Sequence, residues 1–360
     1  MGYLHGLTAV RGVAAIWVAL CHAYTAFYFL PVDPESSIGL MMSKGWLGVD
    51  LFFILSGFII TFSYETKLSK PNKYEFKSYI KKRLARLYPA HIVVLLCYFA
   101  IVALGSHLGK MDTSNYTTSR FISQLFLVNG LGFGVPEGWN APSWSVSSEL
   151  LAYLLFPALL LSILKFKKHM QVGIGIILIN VFLSIKINNF EQYMLGFSWV
   201  SLRVISEFML GMLLYKVFTN STPKLWPLPV GAVMLTLHSV LKFGAFWDWL
   251  FLVYFMMIIY GCASIRVKRP VPILGHLGEI SYSLYLCHSL ILIGFNFLLK
   301  ALPDFRPGLL IILALYLGVS IVFAKILYSW IEIPGQKLCL DISLNSVLKK
   351  ARAPVLLRRG

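Results

Sequence analysis

Long apolar runs separated by short polar and basic stretches make up most of this 360-residue chain. Each run is close to the roughly 20 residues that one helix needs to cross a hydrocarbon core about 30 Å thick. The pattern therefore predicts an all-α polytopic membrane protein with about ten transmembrane helices. Their expected bounds are 9–30, 46–65, 86–105, 144–164, 170–187, 198–218, 227–241, 246–265, 279–299 and 308–331.

Composition agrees with this class, because 58% of the residues are hydrophobic and only 13% are charged. Soluble domains carry about 25% charged residues. The formal net charge of +17 does not indicate nucleic acid, since the cations lie in loops between spans and not on one folded surface. We expect membrane lipids as neighbours, and in the second span Gly45, Gly48 and Gly57 should allow close helix approach.

Most lysines and arginines fall in alternate loops, with the densest cluster between Lys67 and Arg86. The positive-inside rule places these loops and both termini in the cytoplasm. The predicted division is a membrane domain, 1–335, and a basic cytoplasmic tail, 336–360. Segment 106–143 is then external. Its apolar run Phe121–Gly134 is predicted to be interfacial or re-entrant, because a full span there would turn the next basic loop outward.

Two ionisable residues interrupt the first span, Arg11 near its start and His22 near its end. At 100° per residue, eleven residues make three turns and about 20°, so both side chains share one face about 16 Å apart. Ionisable groups are costly in hydrocarbon, and the pair therefore indicates a functional site. The alternative is that Arg11 reaches the headgroups and His22 bonds to a nearby carbonyl.

Other spans carry ionisable groups with two open interpretations each. Asp50, near the external end of the second span, either orients His22 or reaches headgroup water. Arg83 and Arg86 share one face where the third span begins. They either bind anionic lipid or hold the phosphates of a soluble donor through their planar donor forks.

The fourth span carries Glu149 about one turn inside its external end, with Ser145 and Tyr153 four residues before and after it. A carboxylate there should be paired or protonated, and it should contact either an incoming acceptor or a neighbouring span. In the sixth span, Arg203 and Glu207 have the spacing of an ion pair that faces the bundle.

The last two spans add further polar positions. Ser281, Tyr285 and His288 fall on one face of the ninth span, and Glu332 lies at the cytoplasmic boundary of the tenth. The five cysteines show no paired spacing, so we expect neither a disulfide framework nor a metal site.

Six pieces in order resemble the bacterial integral-membrane acyltransferases of family three, which include O-acetylases of lipopolysaccharide O-antigen. The resemblance extends from the first span to the last. The pieces are Arg11 with ten residues before His22, GVDLFFILSGF, Arg-Leu-Ala-Arg from Arg83, WSVSSE from Trp144 to Glu149, SYSLYLCH to His288, and YSWIEIP around Glu332.

The resemblance implies transfer of an acyl group, usually acetyl, from cytoplasmic acyl-CoA to a hydroxyl of a glycan or lipid-linked saccharide outside the bacterial inner membrane. Acetyl-CoA would be a donor substrate. His22 and Glu149 are then expected to be catalytic, with His22 as the general base, and Arg11, Arg83 and Arg86 to bind CoA. Further candidates are Asp50, Trp144, Ser281, Tyr285, His288 and Glu332.

Three questions stay open at this point. Direct transfer with His22 as base is preferred, and an acyl-imidazole intermediate is the competing route. A proton-coupled transporter would also place His, Glu and Arg within ten spans, but it would not consume CoA. A non-catalytic membrane scaffold would keep its function without His22.

Overall fold

The computed structural model describes residues 4–26, 32–33, 35–70, 72–109, 111–131, 138–166, 168–186, 197–241, 245–265, 271–301 and 308–341. Regular structure in these residues is helical throughout. The helices are α1 (His5–Ala26), α2 (Ser37–Ser43), α3 (Gly48–Leu68), α4 (Lys73–His107), α5 (Thr118–Leu125), α6 (Ser143–Lys165), α7 (His169–Lys186), α8 (Phe197–Thr219), α9 (Pro227–Val240), α10 (Leu250–Ser264), α11 (Pro272–Glu279), α12 (Ser281–Ala301) and α13 (Leu309–Leu327). Two 3-10 turns are described, Lys44–Leu47 before α3 and Ala245–Trp249 before α10. A π-helical turn, Tyr328–Glu332, continues α13.

Seven helical stretches among the described residues are long and apolar enough to cross a membrane. They are His5–Ala26, Ser37–Leu68, Lys73–His107, Ser143–Lys165, Trp247–Ser264, Ser281–Leu299 and Leu309–Asp341. The remaining predicted spans, 170–187, 198–218 and 227–241, coincide with α7, α8 and α9. The all-α, multi-pass class is confirmed, while the count of ten and the orientation of the termini stay predictions. Residues 27–30, 187 and 342–360, which belong to the first and fifth predicted spans and the basic tail, lie outside the described residues.

α1 and α3 are the central helices around which the others pack. α1 lies against α11, α12 and α3, and α3 packs along α8. At the crossing of α3 and α8, a Cβ atom on Gly57 would lie 2.0 Å from the carbonyl oxygen of Phe208, and one on Gly211 would lie 1.9 Å from that of Ile54. The two backbones therefore touch, as glycine at a helix interface permits. Gly45 and Gly48 meet α1 in the same way, so the predicted role of these glycines is confirmed.

The segment after α4 enters the bundle from one end and follows α4 inward. The Phe121 ring lies 5.8 Å from that of Phe99, and the carbonyl of Gln124 lies 2.8 Å from Nε2 of His91. Further along, the Tyr88 hydroxyl donates to the carbonyl of Phe126. From Phe99 to Tyr88 the segment advances about 16 Å along α4. The described part of this run, 121–131, therefore turns into the bundle beside α4, as the re-entrant alternative expects, and residues 132–134 lie outside the described residues.

The turn after α5 is not helical, so its backbone groups need partners inside the protein. The Ser147 hydroxyl donates to the carbonyl of Leu127 at 2.6 Å and accepts from the backbone N–H of Gly130 at 3.1 Å. Ser148 donates to the Gly130 carbonyl at 3.3 Å. The serines of the WSVSSE stretch on α6 thus satisfy the backbone of the re-entrant turn.

The contact between α3 and α8 gives a test of the packing. Gly57→Ala should lower the free energy of unfolding by about 1–3 kcal/mol, because the added methyl overlaps the Phe208 carbonyl. Gly318→Ala is the matched control, since a Cβ at Gly318 meets nothing within 4 Å. The thermal unfolding midpoint in detergent should fall for Gly57→Ala only. An equal midpoint for both variants would contradict the close approach.

Candidate functional site

The first of two neighbouring cavities has an empty volume of about 780 Å³ and contains three arginines. We call it the arginine cavity. Side chains from α1, α3, α4, α6 and α12 line it. Its polar lining residues are Arg11, Ser56, Arg83, Arg86, Ser145, Glu149, Tyr153, Ser281, Tyr282 and Tyr285. The structure therefore brings together the three arginines that the sequence could only assign to two different spans.

Arg86 faces a buried carboxylate. Its Nη1 lies 3.5 Å from Oε1 of Glu332, whose side chain is fully buried. The other oxygen of Glu332 accepts a hydrogen bond from the Ser283 hydroxyl at 2.7 Å. Arg11 lies within electrostatic range of Arg86 and Glu332. Glu332 therefore partly neutralises the arginine cluster and connects α13 to α4 and α12.

Aromatic faces hold Arg83. Its guanidinium carbon lies 5.4 Å from the centre of the Tyr64 ring and 5.8 Å from that of Tyr153. Its Nη2 also donates to the Tyr64 hydroxyl at 3.3 Å. Guanidinium groups are attracted to such ring faces. Arg83 is thus oriented by aromatic side chains and a hydroxyl, and among the described residues it has no carboxylate partner. Its positive charge therefore stays available to the cavity.

Glu149 also lines the arginine cavity. Its Oε1 accepts hydrogen bonds from the Ser56 hydroxyl at 2.8 Å and the Tyr153 hydroxyl at 2.5 Å. The contact with Ser56 on α3 corresponds to one of the two predicted alternatives for Glu149, contact with a neighbouring span. Ser145, predicted on the same strip, instead contacts the Tyr285 hydroxyl at 2.5 Å. Glu149 thus lies with the arginines and is not among the described residues that line the cavity of His22.

The second cavity has an empty volume of about 670 Å³, and we call it the His22 cavity. Its lining residues are His22, Trp46, Val49, Asp50, Phe53, Trp144, Val200, Arg203, Val204 and Tyr285. Three residues, Val49, Phe53 and Tyr285, line both cavities, and we call them the dividing wall. Arg11 and His22, on one face of the continuous α1, therefore belong to two adjoining spaces.

His22 and His288 are in contact. Nδ1 of His288 lies 2.6 Å from the Tyr285 carbonyl, which only accepts, so this nitrogen carries the proton. Nε2 of a neutral His288 is then an acceptor, and it lies 3.0 Å from Nδ1 of His22. Nδ1 of His22 also lies 3.1 Å from the Val18 carbonyl and must be the donor. This network leaves Nε2 of His22 with its lone pair, as a base requires.

Asp50 has a different partner from those expected. It forms an ion pair with Arg203 on α8, and Arg203 also donates to Glu207 at 3.0 Å. The guanidinium lies 5.3 Å from the centre of the Trp46 ring. Asp50 lines the His22 cavity. Neither alternative predicted for Asp50 included the ion pair with Arg203, and its role at the site stays a prediction.

The remaining predicted site residues divide between the cavities. Trp144 lines the His22 cavity, Ser281 lines the arginine cavity and donates to the Gly278 carbonyl at 2.8 Å, and Tyr285 lines both. Sequence reasoning missed the uncharged partners of the charged residues described above. These partners are Trp46, Ser56, Tyr64 and Ser283, which are ordinary residues of apolar segments and give no local signal. The described residues contain no cluster of three or more His, Cys, Asp or Glu side chains that could hold a metal ion.

Comparison with known proteins gives consistent matches. A family model described as an acyltransferase domain matches residues 4–328. A Staphylococcus aureus protein named "Putative O-acetyltransferase SACOL0978" is 24% identical over 378 residues, covering 94% of this chain and 58% of that protein. "Putative acetyltransferase ORF330" of Acidianus two-tailed virus is 26% identical over 340 residues and 88% of each chain. "Acyltransferase MdmB" of Streptomyces mycarofaciens is 30% identical over 159 residues, 43% of this chain and 38% of MdmB.

The chain thus spans less than two thirds of the length of two of these relatives, MdmB and the S. aureus protein. No solved structure matches it. The family match nevertheless extends over all the residues that line the two cavities. It also agrees with the multi-pass helical architecture. The chain therefore belongs to this acyltransferase family.

Proposed function

We propose that the protein transfers an acetyl group from cytoplasmic acetyl-CoA to a hydroxyl of a glycan acceptor at the outer side of the bacterial inner membrane. The single observation that carries the proposal is the placement of Arg11 and His22 on one face of α1, in two adjoining cavities. Family membership supports acyl transfer. The relative named as an O-acetyltransferase supports acetyl as the group and oxygen as the acceptor atom.

The arginine cavity suits the charged part of the donor. CoA carries several phosphate charges, and guanidinium groups bind phosphate through paired, charge-assisted hydrogen bonds. Arg83 and Arg86 lie on α4 next to the basic segment that begins at Lys73. Three cations face two carboxylates, Glu149 and Glu332, so the cavity keeps a positive balance when both carboxylates are ionised. We assign donor binding to Arg11, Arg83 and Arg86.

The His22 cavity suits the acceptor and the chemical step. A hydroxyl is a poor nucleophile until a base takes its proton, and an imidazole with a free nitrogen can do so. In direct transfer, the hydroxyl oxygen bonds to the thioester carbonyl carbon and its proton passes to Nε2 of His22. The carbon–sulfur bond then breaks, the electron pair leaves with sulfur, and the thiolate takes up the proton. The step needs no co-reactant beyond the two substrates.

The distance from Arg11 to His22 sets a requirement on the conformation of the bound donor. Arg11 and His22 lie about 16 Å apart along α1, which is roughly half of the hydrocarbon thickness. A CoA headgroup held at the arginines would therefore need its pantetheine arm extended along α1. The acyl group would then cross the membrane within the enzyme. The family match favours this enzyme over the proton-coupled transporter and the non-catalytic scaffold.

The donor assignment predicts the effect of Arg86→Ala. Loss of a charge-assisted hydrogen bond costs about 1.5–3 kcal/mol, so acetyl-CoA affinity should fall roughly 10- to 150-fold. The single change leaves Glu332 buried without its cation, which by itself can destabilise the fold. The double variant Arg86→Ala/Glu332→Gln removes both charges and should show the same loss of affinity.

Donor binding can be measured by calorimetry on protein in nanodiscs. Arg120→Ala is a suitable control, because Arg120 lies on α5, its side chain donates to Asn115, and it does not line the arginine cavity. Its donor affinity should match that of the wild type. Wild-type affinity in both Arg86 variants would contradict the donor assignment.

The catalytic assignment predicts that His22→Ala lowers transfer by about 10²–10⁴-fold, the usual contribution of a general base. Acetyl-CoA affinity should stay within a few-fold of the wild type, since His22 does not line the arginine cavity. Rapid-quench mass spectrometry with donor alone distinguishes the two routes. An acetyl group on His22 would refute direct transfer, and full activity of His22→Ala would refute both routes.

The contact between the histidines predicts that His288→Ala lowers kcat about tenfold without changing donor affinity. The upper range of a neutral hydrogen bond, about 1.4 kcal/mol, corresponds to this factor. His288→Gln should recover part of the rate, because its amide oxygen can accept from Nδ1 of His22. Equal rates for the Ala and Gln variants would indicate that His288 only fills space.

A further inference from the structure

The dividing wall separates the place where we assign the donor from the place where we assign the base. Val49 and Phe53 lie one turn apart on α3, and Tyr285 reaches the same level from α12. All three are nearly buried, with 7%, 3% and 6% of their surfaces exposed. Because they line both cavities, these three side chains stand where the arginine cavity adjoins the His22 cavity.

Tyr285 is held in place from three sides. Its hydroxyl lies 2.5 Å from the Ser145 hydroxyl and donates to the Pro142 carbonyl at 3.0 Å. Its ring packs edge to face against Phe52, with 6.1 Å between the ring centres. Moving this side chain away would break both of its hydrogen bonds in a buried polar cluster, in which Ser145 also donates to the Pro142 carbonyl at 3.1 Å, and this is costly. The Tyr285 side of the passage is therefore fixed.

The α3 side of the passage is equally constrained. Phe53 packs near the Trp144 ring, with 6.5 Å between the ring centres, and Val49 is a β-branched residue with little rotamer freedom in a helix. α3 itself cannot shift toward α8, because the Gly57 backbone already contacts the backbone of α8. A passage with two fixed sides admits a group of limited width.

We propose that the acyl group passes between the three side chains of the dividing wall. This narrow passage selects short acyl chains, with acetyl preferred over butyryl. The inference rests on the proposed acyl transfer and adds the residues that select the length of the donor's acyl chain. One methylene too many in a fitted apolar site changes specificity about 10- to 200-fold. The strength of the selection comes from tight packing, since extra methylenes can fit only by displacing the fixed side chains.

Val49→Ala tests this inference, because it removes two methyl groups from the wall and leaves both hydrogen bonds of Tyr285 intact. The assay uses inside-out membrane vesicles from cells that carry the gene, with radiolabelled acetyl-CoA or butyryl-CoA. The measured quantity is the ratio of the initial rates of label transfer from the two donors. We expect the butyryl-to-acetyl ratio to rise at least tenfold, the effect of about one methylene. Phe53→Leu is a second widened variant with the same expected direction.

Two controls carry the same change outside the wall. Val204→Ala enlarges the His22 cavity only, and Val146→Ala enlarges the arginine cavity only. Both remove the same two methyl groups from a buried helical position. The ratio should stay within about twofold of the wild type in both controls. An equal rise in Val204→Ala or Val146→Ala would show that cavity volume, and not the wall, selects the donor.

The remaining outcomes also decide the matter. An unchanged ratio in Val49→Ala and Phe53→Leu, with acetyl transfer retained, overturns the inference and leaves the proposed function intact. Loss of acetyl transfer in both folded variants overturns it as well, since a wider passage has to admit acetyl. If the wild-type protein transfers neither group, the proposed function fails, and the inference fails with it.

Discussion

A polar group buried between apolar helices has to find its partner within the protein, because hydrocarbon offers none. Three carboxylates described above follow this constraint. Glu332 lies between Ser283 and Arg86, Glu149 accepts from two hydroxyls, and Asp50 pairs with Arg203. These contacts join helices that are distant in sequence. Polar groups are costly to place between apolar helices, and their pairing therefore helps to fix how the helices meet.

The re-entrant segment follows the same constraint with backbone groups. Its turn is satisfied by Ser147 and Ser148 on α6, and its side toward α4 is held by His91. α5 and the turn are thereby tied to both α4 and α6, the helices that contribute Arg83, Arg86 and Glu149 to the arginine cavity.

Sequence reasoning succeeded where the determining physics is local. The helical period places Arg11 and His22 on one face, and the charge spacing of Arg203 and Glu207 predicts their ion pair. It failed where two distant helices decide the contact. Nothing in the sequence shows that Asp50 pairs with Arg203. Nor does it show that His288, 266 residues after His22, accepts the hydrogen bond of His22. The family resemblance marked His288 but implied no contact for it.

Placing the base in a separate cavity from the donor arginines has a chemical consequence. His22 shares its cavity with Trp46 and Trp144, whose broad aromatic faces suit the apolar faces of a sugar ring. In the proposed function, a base in that position lies beside the acceptor hydroxyl before the thioester arrives. Its free Nε2 would then take the hydroxyl proton as the acyl group emerges between the side chains of the dividing wall. Attack by His22 on the donor would need no acceptor, and it would expose an acyl-imidazole to water. For this reason the proposal prefers direct transfer, in which the thioester reacts only when the acceptor is already in place.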